Sequence, residues 1–334
     1  MIKNRPNNKT LAICLDMYGC PNRCQHCWLG DLPNNRISKG IDDYIVSLFK
    51  PYFKDVTFYS WIREPDFTRD YKARWVKDNE LSSIKPQRFE LASFYKIVRD
   101  PEYVKWLKEV GTNKVQLTFF GLETLTDKYI GRIGAYRELI ETTKILKNNE
   151  IEPRWQIFIN EENRDDVVRL LDVAKKMNVS DVFVHEGSCD GNNRKLYDIR
   201  INKNNIPKEV KPHYLNYEKI LSEKECIEIL KNDTSHFVPT NNKEVILYIT
   251  SDLNIYFNFT NPSPAWKIGN IKHNINELLG KVINEDVPAL KTARTIAIGE
   301  LVKLYGDLNS NKVFALYDYK MYLLNNYLDE KYKN

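Results

Sequence analysis

The sequence is short of cysteine, glycine and long apolar runs, and each shortage closes off a class of protein. Six cysteines in 334 residues are too few for the dense disulfide framework of a small secreted domain. No N-terminal apolar run has signal-peptide form, and no stretch approaches the ~20 apolar residues of a membrane-crossing helix. A reducing, cytoplasmic compartment is therefore expected, with no membrane partner. The 13 glycines form no strand-to-helix Gly-x-Gly-x-x-Gly loop, and Gly131-Arg-Ile-Gly134 lacks that context, so no phosphate cradle is expected. A marked excess of one charge sign is missing too. The net charge is +5 and the pI 8.6, below the value of about 9 that flags a nucleic-acid binder. No RNA-binding module and no repeat of 20–50 residues is visible. The hydrophobic share of 42% is ample for a core, so the chain reads as a folded globular protein.

Against that background one stretch stands out. Cys20-Pro-Asn-Arg-Cys24-Gln-His-Cys27 places three thiols within eight residues, in the loop after the first strand-like run. Thiolates so close together wrap one metal centre, and they select zinc, copper(I) or an iron–sulfur cluster. A structural zinc or an ordinary cluster takes four protein ligands. No fourth is evident, so the motif implies an open coordination position, the mark of a site that binds and activates something. The competing reading is a zinc knuckle completed by His26 or His185; His26 lies inside the loop, where closure is cramped. Cys14 and Cys226 sit among apolar neighbours and read as core.

A strand–helix rhythm surrounds this loop. Strands are expected at 11–17, 55–60, 89–93 (the weakest), 114–120, 154–160 and 181–185. Helices are expected at 41–53, 69–77, 100–111, 135–147 and 163–177, from apolar residues at helical spacing and from starts such as Asp100-Pro-Glu. Alternation of this kind implies a parallel sheet with right-handed crossovers. Six units in about 180 residues suit a partial (β/α)6 TIM barrel better than the full barrel of about 250 residues. Beyond residue 190 the rhythm breaks into a C-terminal α+β extension. A polar loop spans 187–217, a short helix 222–231, a hairpin 244–259, and helices 275–283, 287–305 and 310–327. The expected division is 1–190 and 191–334.

Active sites of parallel barrels sit at the C-terminal strand ends. The cysteine loop follows strand one. Glu64 follows strand two, Ser93 ends strand three, Thr118 lies in strand four and Gly121-Leu-Glu123 follows it. Asn160 ends strand five, and His185 ends strand six. Polar groups thus gather on one rim around the open metal position.

At this point the chain resembles a family. The Cys-x3-Cys-x2-Cys loop after strand one, in a six-unit partial barrel over residues 10–190, is similar to the signature of radical S-adenosylmethionine (SAM) enzymes. The resemblance implies that Cys20, Cys24 and Cys27 ligate a 4Fe–4S cluster. It implies that SAM chelates the fourth iron, and that one-electron cleavage of SAM yields a 5′-deoxyadenosyl radical that abstracts hydrogen. It also implies cofactor-binding roles for His26, where the family has an aromatic residue, and for Glu64, whose Ile62-Arg63-Glu64-Pro65 resembles the family's Gly-Gly-Glu-Pro with both glycines replaced. The strand-four motif with Glu123, the basic Arg132 and the polar Asn160 resemble residues that contact SAM. Ser93, Thr118 and His185 are further candidates on the same rim. Cys189, in a rim loop, is a candidate hydrogen donor, as in some epimerases of the family.

Leu247-Tyr-Ile-Thr-Ser-Asp-Leu-Asn-Ile-Tyr-Phe and Ile268-Gly-Asn-Ile resemble the hairpin region of SPASM domains. Asn258, Phe259 and Thr260 stand where a cysteine is expected, and none follows Cys226. The resemblance therefore implies a cluster-free remnant that caps the barrel. Without an auxiliary cluster to accept an electron, a redox-neutral modification such as epimerisation or rearrangement is favoured over oxidation. The expected substrate is a peptide or small metabolite, and the expected electron donor a protein such as flavodoxin or ferredoxin. No separate leader-peptide-binding domain is seen ahead of strand one, which weakens the peptide case a little. An RNA-modifying radical SAM enzyme and a non-enzymatic zinc-binding interaction protein are the alternatives.

Overall fold

The computed structural model describes residues 7–240, 243–257 and 262–332. In chain order the first half runs β1 (Asn7–Leu15), α1 (Ile41–Phe49), β2 (Phe53–Tyr59), α2 (Tyr71–Leu81), α3 (Phe94–Ile97), α4 (Pro101–Glu109) and β3 (Lys114–Phe119). It continues α5 (Glu123–Ile130), α6 (Ala135–Asn148), β4 (Glu152–Phe158), α7 (Arg164–Lys176) and β5 (Asp181–His185). The second half runs β6 (Leu221–Ser222), α8 (Glu223–Leu230), β7 (Glu244–Ile249), β8 (Asn254–Phe257), β9 (Lys267–Asn270) and α9 (Ile275–Ile283). It ends with α10 (Pro288–Ala293), α11 (Ile298–Tyr305), β10 (Val313–Phe314) and α12 (Leu316–Lys331).

The architecture is a partial TIM barrel, and among the described residues the strands form no closed barrel. One parallel set is β3-β4-β5 and another is β1-β2. The apolar run of β1 is explained by its neighbours. It pairs in parallel with β2 on one edge and with β7 on the other, so Leu11, Ile13 and Leu15 are wholly buried. The 244–259 hairpin is present as β7-β8, but it continues the sheet of β1 in the order β2-β1-β7-β8-β9. One hydrophobic core therefore runs from Leu11 and Phe58 into Val245, Trp266 and Leu323. A second core packs β3, β4 and β5 against α4, α6 and α7.

The expected third strand is the main correction. Residues 89–93 are irregular and Phe89 has φ +47°, a backbone state that β-branched and aromatic residues rarely adopt. A single contact, Gln116 N donating to Glu90 O at 2.7 Å, marks where a ladder would lie. Five strands of the first half are thus parallel, and β7 adds another beside β1. The 287–305 helix is divided into α10 and α11, because Ile298 N turns away to donate to Ser235 O. The last helix begins at Leu316; Val313 and Phe314 pair with β6 instead. Residues 258–260 of the SPASM-like stretch lie outside the described residues.

Candidate active site

The cysteine loop leaves β1 and docks on the end of α5. The last carbonyls of a helix lack intrahelical donors. Here Gln25 N donates to Tyr129 O at 2.8 Å and Arg23 N to Ile130 O at 3.0 Å. Gly131 ends the helix at φ +70°, and a Cβ there would lie 2.5 Å from Arg23 O, so only glycine admits this approach. Arg132 then returns Nε to Asn22 Oδ1 at 2.9 Å and Nη2 to Glu138 at 2.6 Å. Asn34 holds the other side: Cys20 N donates to its Oδ1 at 3.0 Å, and its Nδ2 donates to Cys20 O at 2.8 Å.

Cys20, Cys24 and Cys27 are free thiols, and all three line one open cavity of about 370 Å³ together with His26, Glu64 and Thr118. Burial raises all three thiols above their ordinary pKa, Cys24 to about 12. Among the described residues no three His, Cys, Asp or Glu side chains gather tightly enough for one metal ion. The thiols instead border a shared space, as ligands of a multi-iron cluster do when each takes a different iron. Glu64 faces Cys20, with Sγ and Oε2 3.9 Å apart. Its Oε1 is buried without a partner, and burial pushes its carboxyl up to about 7. A buried carboxylate left short of a donor is a receptor for a cationic group. The soft thiols and this orphaned oxygen fit a cluster with a bound amino-acid ligand.

His26 sits between Phe120 and Phe158, its ring 4.7 Å from each. Burial lowers it to about 3, so it is neutral. With Trp28 and Phe158 it also lines a second chamber of about 290 Å³. His185, Cys189, Asp190, Asn193, Arg200 and Asp318 belong to that second chamber. His185 packs against Phe158 at a tilt of 43°, ring centroids 4.3 Å apart, and contacts Gln156 at 2.7 Å through Nε2. Gly187, at φ +71°, lets the loop pass the Phe158 ring, which a Cβ would approach to 2.4 Å.

Several sequence-predicted residues lie elsewhere. Glu123 opens α5 and is ion-paired with Arg137 at 2.7 Å on the exposed surface, because the helix start turns it outward. Asn160 caps a turn: its Oδ1 accepts from Glu162 N and Asn163 N, and its Nδ2 donates to Tyr129 Oη at 2.8 Å. Neither lines the cavity. Ser93 is buried as the N-cap of α3, accepting from Lys96 N at 3.2 Å. Arg132 acts on the loop through Asn22, not as a lining residue. Sequence reading missed Arg63, which donates to Asp16 at 2.7 Å and to Leu32 O at 2.7 Å. It also missed Gln116 and Gln156, which share an amide contact of 2.7 Å beneath the cavity. Their alternation on the inner face of β3 and β4 was the available signal.

Residues 15–174, a little under half of the chain, match the family model of the radical SAM superfamily. No curated protein sequence matches. Among solved structures, a histidine-tagged form of anSMEcpe with bound AdoMet is similar at a TM-score of 0.51 and 12% identity, over 98% of this chain and 94% of that one. Native anSMEcpe with bound AdoMet and the Cp18Cys peptide gives 0.51 and 12%, over 96% and 97%. At such identity the likeness is one of fold.

Proposed function

We propose, for a chain that is a radical SAM enzyme through its domain over residues 15–174, that Cys20, Cys24 and Cys27 hold its 4Fe–4S cluster and that a peptide or small metabolite is modified in the second chamber. The carrying observation is the shared wall: His26, Trp28 and Phe158 line both the thiol cavity and the second chamber. A group bound in one meets a group bound in the other. When bound, the cluster and SAM supply a 5′-deoxyadenosyl radical, which takes a hydrogen atom from substrate.

The chain's own residues bind, orient and shield. Glu64 offers its free oxygen to the SAM ammonium, and Thr118 and His26 border the same space. Arg132 and Ser93 are positioning residues for the cysteine loop and the Glu64 region; Glu123 and Asn160 have no part in this reading. Residues 191–334 supply the outer wall, with Phe314, Asp318 and Met321 on the second chamber, and residues 1–190 supply the chemistry. The anSMEcpe structure with a bound peptide supports the peptide class by likeness of fold. A redox-neutral outcome is favoured by Cys189. Burial lifts its thiol to about 12, so it keeps its S–H. Donating that hydrogen atom to a substrate carbon radical leaves a thiyl radical, which one electron and one proton restore. The electron comes from a carrier such as flavodoxin or ferredoxin. Cys24 and Cys27 also border a surface groove with Arg23, Asp31 and Lys195, where such a carrier could approach the cluster.

Anaerobic purification and reconstitution test the reading. About four irons per chain and reductant-dependent release of 5′-deoxyadenosine from SAM are expected, and the Cys20→Ala/Cys24→Ala/Cys27→Ala variant should hold no cluster. A colourless protein retaining one zinc after reconstitution overturns it, as does a full cluster in the triple variant.

A further inference from the structure

The second chamber is unequal at its two ends. Where it meets the thiol cavity its wall is aromatic, from His26, Trp28 and Phe158. Asp190, Asn193 and Asp318 line the second chamber and not the first. Their chemistry is that of acceptors. Asn193 is 2% exposed, and its Oδ1 is buried with no partner. Such an oxygen is costly to leave unmade and calls for a donor from a ligand. No hydrogen-bond donor to the Asp318 carboxylate is found among the described residues. Asp190 accepts from Ser188 Oγ at 2.8 Å and from Asn325 Nδ2, which fixes its place.

The chamber also holds a cation, Arg200, but that charge is already spent. Its Nη2 pairs with Glu186 at 3.1 Å, its Nη1 donates to Gly187 O at 2.7 Å, and its Nε donates to Val313 O. The guanidinium lies 4.1 Å over the Phe314 ring. His185 adds no charge, since burial lowers it to about 4. Asp190 and Asp318 therefore leave the chamber net negative beside an apolar and aromatic wall. An anionic group finds no match there.

We propose that Asp190, Asp318 and the free Oδ1 of Asn193 form an ammonium site that takes the side-chain amine of a lysine-type residue, the aliphatic stem lying along Trp28 and Phe158. The inference rests on the second chamber being the substrate site. It adds a consequence for regiochemistry: with the ammonium anchored among the acceptors, carbon–hydrogen bonds of the stem or backbone, not the nitrogen, reach the shared wall.

Ligand-observed NMR on the anaerobically reconstituted protein with SAM and no reductant measures this without turnover. The probes are Nα-acetyl-lysine N-methylamide and its neutral counterpart Nα-acetyl-norleucine N-methylamide. A charge-assisted hydrogen bond is worth about 1.5–3 kcal/mol, so the lysine probe should bind at least about tenfold more tightly. Asp318→Asn should remove most of that preference. Asp318 is solvent-exposed at the edge of the chamber it lines, so this variant is expected to fold. Asp190→Asn should act alike; because Asp190 also holds Asn325, its circular dichroism is compared first. Equal binding of the two probes, no binding of the lysine probe, or full discrimination surviving in Asp318→Asn overturns the ammonium site. An arginine probe preferred over lysine does so too. SAM cleavage by the same preparation is assayed separately, so loss of the ammonium site leaves the radical SAM reading standing.

Discussion

The pair of Asp16 and Arg63 ties the end of β1 to the segment that follows the cysteine loop. Arg63 Nη2 lies 2.7 Å from Asp16 Oδ2, and the two side chains are 5% and 2% exposed. The same guanidinium donates to Leu32 O at 2.7 Å and Pro33 O at 3.0 Å. Arg63→Met keeps the stem and removes the charge. Removing one partner of a buried pair costs about 3–5 kcal/mol, because the other charge stays buried and uncompensated. The double variant Asp16→Leu/Arg63→Met removes that stranded charge, and apolar replacement of a whole pair is close to neutral. The two carbonyls still lack their donor, a loss of about 1–3 kcal/mol. The double variant should therefore sit below wild type by that smaller amount and above Arg63→Met. Urea unfolding followed by circular dichroism reads all three stabilities. Iron content after reconstitution should fall in Arg63→Met, since Asn34, which pins Cys20, follows the released segment directly. An Arg63→Met loss under about 1 kcal/mol, the range of exposed pairs, refutes the reasoning. So does a double variant less stable than the sum of its parts.

Gly131→Ala places a Cβ against Arg23 O at a left-handed backbone position; a loss of about 1–2 kcal/mol for the backbone alone, with lower iron retention, is expected in urea unfolding and iron assay. His185 is held by burial at about 4, below its ordinary 6.5, with Glu186 opposing the shift and Arg200 adding to it. As pH falls below 6.5 the unfolded chain takes the proton first, so stability is lost between pH 6.5 and 4. His185→Gln should flatten that acid limb by up to about 3 kcal/mol in pH-dependent unfolding, and an unchanged limb refutes it.

Much of this fold was legible because local pattern and tertiary role agree. Ile275–Ile283 is helical as spaced, and Asp100 does cap α4, accepting from Glu102 N and Tyr103 N. The apolar run of β1 announced a strand buried on both faces, but not the identity of its second neighbour. β7 arrives from more than two hundred residues away, and its register against β1 (Leu11 opposite Val245) is a long-range fact that alternation cannot encode. Residues 89–93 failed for the opposite reason. Their alternation is real, yet Phe89 turns with positive φ, so the chain crosses the strand position without joining a ladder.

The site divides along the same line. That the three thiols and Glu64 line one cavity could be read ahead, because residue spacing and strand order are local properties. Asn160 and Glu123 were misplaced because a polar residue at a strand end has two uses, and here backbone capping and surface pairing claim them. The residues that shape the second chamber were invisible for a different reason. Asp190 and Asn193 come from the loop after β5, while Phe314 and Asp318 come from β10 and the first turn of α12. Nothing in either stretch alone marks a pocket. The link is α12 itself, whose Asn325 and Asn326 are buried and bind Asp190 and Arg194. Two asparagines among the buried residues of a helix that otherwise buries mainly Leu, Met and Tyr are a poor choice for stability alone. They make sense as the clamps that fix one wall of the chamber to the other, so that the acceptor set keeps its shape when no ligand is present.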